Sequence, residues 1–200
     1  MATTLVEYEQ DVPLTGLPEE GPYRLSDYLS LPDVPRVELM QGRFYVAPAP
    51  NWYHQAVSMQ LSKHFEAIAS GSGGLALAAP TDVHLMESTV VQPDLLYLAK
   101  GRRPKSQQRI DVVPDLVIEI VSGRYGRRDR VAKLALYAKA GVAEYWILDP
   151  EAQIFSYFIL VDGAYQVRSA EQGSYVSPRC PEVTIDEPAF WADVDRYVGG

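Results

Sequence analysis

The chain has 200 residues, 47% of them hydrophobic and 22% charged, which suits one globular domain with a sizeable core and leaves two domains cramped. Its net charge of −8 argues against a general nucleic-acid binder, which neutralises phosphates with a basic face. One cysteine, Cys180, excludes an internal disulfide and a cysteine-rich zinc cage, and no apolar run nears the roughly 18 residues of a membrane span.

Residues 1–22 are acidic, punctuated by Pro and Gly and without period, so they read as a flexible lead-in. They lack the basic and then apolar pattern of a signal peptide, which points to a cytoplasmic protein. "LSDYLSLPD" predicts a short helix capped by Ser26 and stopped before Pro32. "RVELMQGRFYVAPAP" predicts a hairpin turning at Gln41 and Gly42, with Glu38 in its first strand. From Asn51 to Ser70, Ala56, Met59, Leu61, Phe65 and Ile68 recur near helical spacing ahead of the breaker "GSGG".

Two strands are expected next, "LALAAPTDVHLM" and "VVQPDLLYLA", the second carrying Asp94 directly after Pro93. "PDLVIEIVS" is a short apolar run bounded by Pro114 and Gly123, as in a strand covered on both faces, and Glu119 stands in its middle. A helix over Asp129–Ala140, stopped by Gly141, leads to the strand "AEYWILD". That makes a βαβ unit, with strands 116–121 and 144–149 parallel neighbours. "AQIFSYFILVDGAYQVRSA" is a hairpin turning at Asp162 and Gly163, and Cys180 follows in a Pro-flanked tail.

A carboxylate buried without a partner costs several kcal/mol, so Glu119 needs a cation, a wet strand end or a proton. Pairing with Arg127 is the bland answer. The surroundings are basic: Lys100 to Lys139 holds eleven Lys and Arg against four Asp and Glu, a local +7 against −15 elsewhere. Such polarity can draw a polyanion to an acidic site, although a solvated loop and helix face would read the same way.

Glu38, Asp94 and Glu119 each lie in or beside an apolar strand of one expected mixed sheet, and Lys133 follows on the next helix. Carboxylate oxygens suit Mg²⁺ or Mn²⁺, which bind through one or two protein carboxylates, waters and substrate phosphate. Such an ion between Asp94 and Glu119 can activate a water and polarise a phosphodiester, while a nearby ammonium offsets charge. His54, near the start of the long helix, could reach that water or a phosphate, or be a satisfied polar group. His64 and His84 match no motif, and Tyr137, Tyr145 and Trp146 read as core aromatics.

"VVQPDLLYL", "VVPDLVIEIVS" and "RRDRVAKLALYAKAGVAEYWILDP", together with "VELMQGRFYVAPAPNWYHQ", resemble the Uma-two restriction-endonuclease family, a branch of the PD-(D/E)XK nuclease superfamily. The resemblance implies a single restriction-endonuclease-like α/β domain over 23–195, with a mixed sheet flanked by helices. It implies Asp94 and Glu119 as metal ligands with the Ile120 carbonyl as a further one, and a Mg²⁺- or Mn²⁺-dependent cut in DNA. The superfamily's lysine two residues after the acid is Val121 in this chain, and Lys133 is the residue that matches this branch. An Asp129–Lys133 surface pair is the competing account of that lysine. Ser122–Tyr125 also departs from the family's Ser-Pro-Ser-Thr. A non-catalytic nucleic-acid-binding or assembly protein is the rival reading, and a hydrolase of a small phosphate compound a third. Cutting both DNA strands leads to the expectation of a homodimer.

Overall fold

The structure is a computed structural model that describes residues 21–31, 37–46, 49–121 and 126–199, with the backbone alone described over 126–131. In chain order the first elements are α1 (Leu25–Leu29), β1 (Val37–Met40), β2 (Arg43–Val46), α2 (Trp52–Ser72), β3 (Leu75–Ala78), β4 (Val83–Met86), β5 (Thr89–Val91) and β6 (Leu95–Leu98). They are followed by β7 (Leu116–Ile120), α3 (Gly126–Ala140), β8 (Glu144–Asp149), β9 (Ile154–Val161), β10 (Ala164–Arg168), β11 (Ser174–Val176), β12 (Thr184–Asp186) and α4 (Glu187–Gly199). The fold is mixed α/β, as expected. Two compact units form: the first draws its described residues from Met1–Ala49, Pro80–Gln92 and Pro104–Val112, the second from Pro50–Ala79, Pro93–Arg103 and Val113–Gly200.

The first unit holds an antiparallel sheet in the order β2-β1-β5-β4. Its β1–β2 hairpin turns where expected, with φ of 52° at Gln41 and 80° at Gly42, the left-handed pair that a two-residue turn needs. Leu39, Phe44 and Val90 pack with Tyr23 and Val37 into a small core. Ser26 is not the cap of α1. The Asp27 carboxylate reaches back to the Arg24 N–H at 2.7 Å, so Arg24 takes the cap position and Ser26 falls inside the first turn.

The two strands expected between 75 and 98 are four, and they belong to different sheets. Pro80 and Pro93 offer no ladder donor and divide the apolar runs, and β4 and β5 pair as a hairpin around Glu87 and Ser88. Glu38 therefore does not share a sheet with Asp94 and Glu119. It lies in β1, whereas β6 and β7 belong to the second unit.

The second unit is built on a six-stranded sheet in the order β10-β9-β8-β7-β6-β3. Only β7 and β8 run parallel, as the βαβ reading requires, and the β9–β10 hairpin turns at Asp162 and Gly163. One face packs Leu116, Ile118, Ile120, Trp146 and Leu148 against Val57, Leu61 and Phe65 of α2. Met59, expected on that buried face, is 49% exposed, because the stripe runs through His54, Val57, Leu61 and Phe65. Asn51 caps α2 by accepting the His54 N–H at 2.8 Å, and Gly73 ends it at φ 79°.

The C-terminal segment is part of this core. Phe190, Trp191 and Val194 of α4 join it, β11 pairs with β12, and Cys180 is buried. Fully buried Glu144 at the start of β8 accepts Trp146 Nε1 at 2.7 Å, Tyr175 OH at 2.8 Å and Ser177 Oγ at 2.5 Å. Three neutral donors thus satisfy a carboxylate that would otherwise be costly to bury, and two of them come from the C-terminal segment.

Candidate active site

Strand alternation accounts for Glu119. In β7, Leu116, Ile118 and Ile120 enter the core beneath α2, so Val117 and Glu119 face the opposite side. On that side α3 presents Lys133, whose Nζ lies 3.0 Å from Glu119 Oε1, with both side chains largely buried. Tyr137, one helical turn on, donates its hydroxyl to the same oxygen at 2.8 Å. The cation that Glu119 needs is therefore Lys133, delivered from the helix after the strand. The side chains of Arg127 and Asp129, the two alternative partners, lie outside the described residues, as does Ser122–Tyr125.

Asp94 stands directly before β6. Its Oδ2 accepts the Ile120 N–H at 2.8 Å and lies 3.3 Å from His54 Nε2. The β6–β7 register pairs Leu95 with Ile118 and stops there, so Asp94 and Glu119 stand just beyond its last pair. His54 is held at the first turn of α2 and is buried, and among the described residues its Nδ1 has no hydrogen-bond partner. A buried orphan nitrogen beside a carboxylate is a donor or acceptor left for a water or a ligand.

His54, Asp94, Glu119, Ile120 and Lys133 thus form one chain of contacts in the second unit. Glu38 belongs to the first unit, where its Oε1 accepts the Gln92 N–H at 2.8 Å. The ring of Tyr137 packs on that of Tyr145 at 4.9 Å, as a core aromatic does. Its hydroxyl nevertheless belongs to the Glu119 cluster. The available signal was its i+4 spacing from Lys133, which puts both on one helical face.

The donor set suits a hard divalent cation. Asp94, Glu119 and the Ile120 carbonyl offer only oxygen, and Mg²⁺ takes one or two carboxylates and fills its octahedron with water and substrate. Among the described residues no three His, Cys, Asp or Glu side chains cluster in a metal-binding arrangement.

The basic stretch is partly spent on structure. Arg102 pairs with Asp115 and donates to the Val113 carbonyl, and Arg103 donates to the carbonyls of Gly73 and Gly74. Both remain exposed.

The six-stranded mixed sheet flanked by helices, with Asp94 directly before β6, Glu119 in β7 and Lys133 on the helix that follows, is a restriction-endonuclease-like fold. The family model Uma2, described as "Putative restriction endonuclease", matches residues 25–186, and the chain belongs to that family. A crystal structure from Anabaena variabilis ATCC 29413, described as "a putative nuclease belonging to DUF820", shares the fold with a TM-score of 0.71. It is 18% identical and the alignment covers 86% of this chain and 99% of that one. No curated protein matches the chain. Among the described residues no helix is long and apolar enough to cross a membrane.

Proposed function

We propose that the protein is a metal-dependent endonuclease that hydrolyses DNA phosphodiester bonds. The observation that carries this reading is the joining of two acids at one strand end: Asp94 holds the Ile120 amide, and neighbouring Glu119 holds Lys133. Membership of a family described as restriction endonucleases supports it.

Asp94 and Glu119 would hold one Mg²⁺ or Mn²⁺, with the Ile120 carbonyl as a further oxygen. Each carboxylate would reach the ion at about 2.1 Å, so their oxygens should approach within about 5 Å of each other. When bound, the ion supplies Lewis-acid polarisation of the phosphodiester and of an attacking water.

The rest falls to the chain. Lys133 carries a positive charge fixed beside Glu119, where it offsets the charge that builds on the phosphate oxygens. His54 meets Asp94 through Nε2 and leaves Nδ1 to accept from a water. Cleavage of both strands calls for two such sites, so a homodimer is part of the proposal.

The test is a cleavage assay on supercoiled, linear duplex and single-stranded DNA with Mg²⁺ or Mn²⁺, with a chelator as control. Metal-dependent cleavage that is lost in Asp94→Ala is the expected result. Binding of Mn²⁺ and DNA without cleavage of any form would replace the reading with a non-catalytic nucleic-acid-binding protein on the nuclease fold.

A further inference from the structure

Tyr137 has an environment that core packing alone does not require. Its ring is fully buried against Tyr145, and a phenylalanine would fill that space equally well. The hydroxyl instead extends to Glu119 Oε1 at 2.8 Å, the same atom that Lys133 Nζ meets at 3.0 Å. Lys133 and Tyr137 are four residues apart on α3, so one helix face delivers two donors to a single carboxylate oxygen. Tyr165, in the same aromatic group, uses its hydroxyl differently, donating to the Val142 carbonyl at 2.9 Å.

We propose that Tyr137 is a positioning residue, whose hydroxyl fixes the orientation in which Glu119 meets a divalent cation. The inference rests on the metal-binding reading of Asp94 and Glu119 and adds a residue to it. Two donors converging on Oε1 restrain rotation of the carboxylate about its last bond more than either alone. A carboxylate so held loses less freedom on meeting an ion, and ordering of ligating carboxylates by outer hydrogen bonds commonly changes metal affinity by about 10- to 100-fold.

The experiment is Mn²⁺ titration by calorimetry of the parent protein, Tyr137→Phe and Tyr165→Phe, each checked for folding by thermal melting. Tyr137→Phe should bind Mn²⁺ about tenfold more weakly, and Tyr165→Phe should match the parent. Equal affinity in Tyr137→Phe and the parent overturns the positioning role and leaves the metal site standing. Equal weakening in both variants also overturns it, since the effect would then follow loss of an aromatic hydroxyl in general. A parent that binds no Mn²⁺ overturns the metal reading and this inference together. Should Tyr137→Phe not fold, 3-fluorotyrosine placed at 137 keeps the hydroxyl. Its fluorine resonance should move on Mg²⁺ addition while that of a label at 165 stays, and an unmoved resonance at 137 rejects the proposal.

Discussion

Ile120 donates its backbone N–H to Asp94 Oδ2 at 2.8 Å, which ties the last residue of β7 to the residue that precedes β6. The bond spans the point where the β6–β7 ladder stops at Leu95 and Ile118, so a side chain continues what the backbone pairing began. Asp94 thus has a structural task as well as the proposed metal-binding one, and two substitutions separate them.

Asp94→Asn keeps an amide oxygen for the Ile120 N–H and removes the charge. It should retain most of the parent's stability, yet lose Mn²⁺ binding and cleavage. Asp94→Ala should lose both activities and also leave a buried N–H unpaired, at a cost of about 1–3 kcal/mol. Urea denaturation beside calorimetric Mn²⁺ titration distinguishes them, and equal stability of the two variants would remove the structural task.

Lys133→Ala should lower cleavage by roughly two to three orders of magnitude, the scale for losing one preorganised electrostatic contact. Mn²⁺ affinity should fall far less than cleavage, by no more than the roughly tenfold expected of Tyr137→Phe, because Asp94 and Glu119 remain and one of the two donors to Glu119 Oε1 still orients it. The variant should also be less stable, since Glu119 loses its ion-pair partner in a largely buried setting. If it cuts DNA as fast as the parent, the catalytic assignment of Lys133 fails and Arg127 and Arg130 become the cations to test.

His84 should titrate below its ordinary value of 6.5, first because burial disfavours the charged ring and next because of the Arg109 charge, with Asp82 and Asp111 opposing. A depressed folded value means that the unfolded chain binds the proton more readily. The contribution of His84 to stability is therefore complete above about pH 6.5 and is lost as pH falls below it. An NMR titration of the three histidines checks the direction, and a His84 midpoint above 6.5 contradicts it.

Gly74→Ala should destabilise the second unit by about 1–3 kcal/mol, the usual cost of overpacking. A methyl group there would stand 2.6 Å from the Tyr97 ring carbon that bears the hydroxyl. That hydroxyl bonds Ser72 and Glu182, which limits how far the ring can yield. An unchanged melting temperature would mean that the ring moves freely.

The local architecture was legible wherever one residue type forces one backbone. Gln41-Gly42 and Asp162-Gly163 mark their hairpins, Asn51 and Gly73 bound α2, and the apolar runs at 116–120 and 144–149 flank a helix as a parallel pair must. Glu119's need for a cation pointed only as far as an arginine such as Arg127, and it was the family resemblance that marked Lys133, whose ammonium reaches Glu119. The placing of β1 and β6 in different sheets was not legible, because Val37–Met40 and Leu95–Leu98 are equally strand-like and nothing local states which neighbours they take. Tyr137 was hidden by its ring, which packs as any core aromatic does. The last helix carries its own signal: Asp186 accepts the Ala189 N–H at 2.9 Å as a cap, and Phe190, Trp191 and Val194 are its buried residues.

The Glu144 clamp has a practical consequence for ionic strength. Its three donors are neutral and its carboxylate is fully buried, so dissolved salt has little to screen there, unlike the exposed Arg196–Asp193 pair. Polyanion binding weakens steeply as salt rises. A salt titration of DNA affinity should therefore read out phosphate contacts on a scaffold whose C-terminal anchoring stays constant.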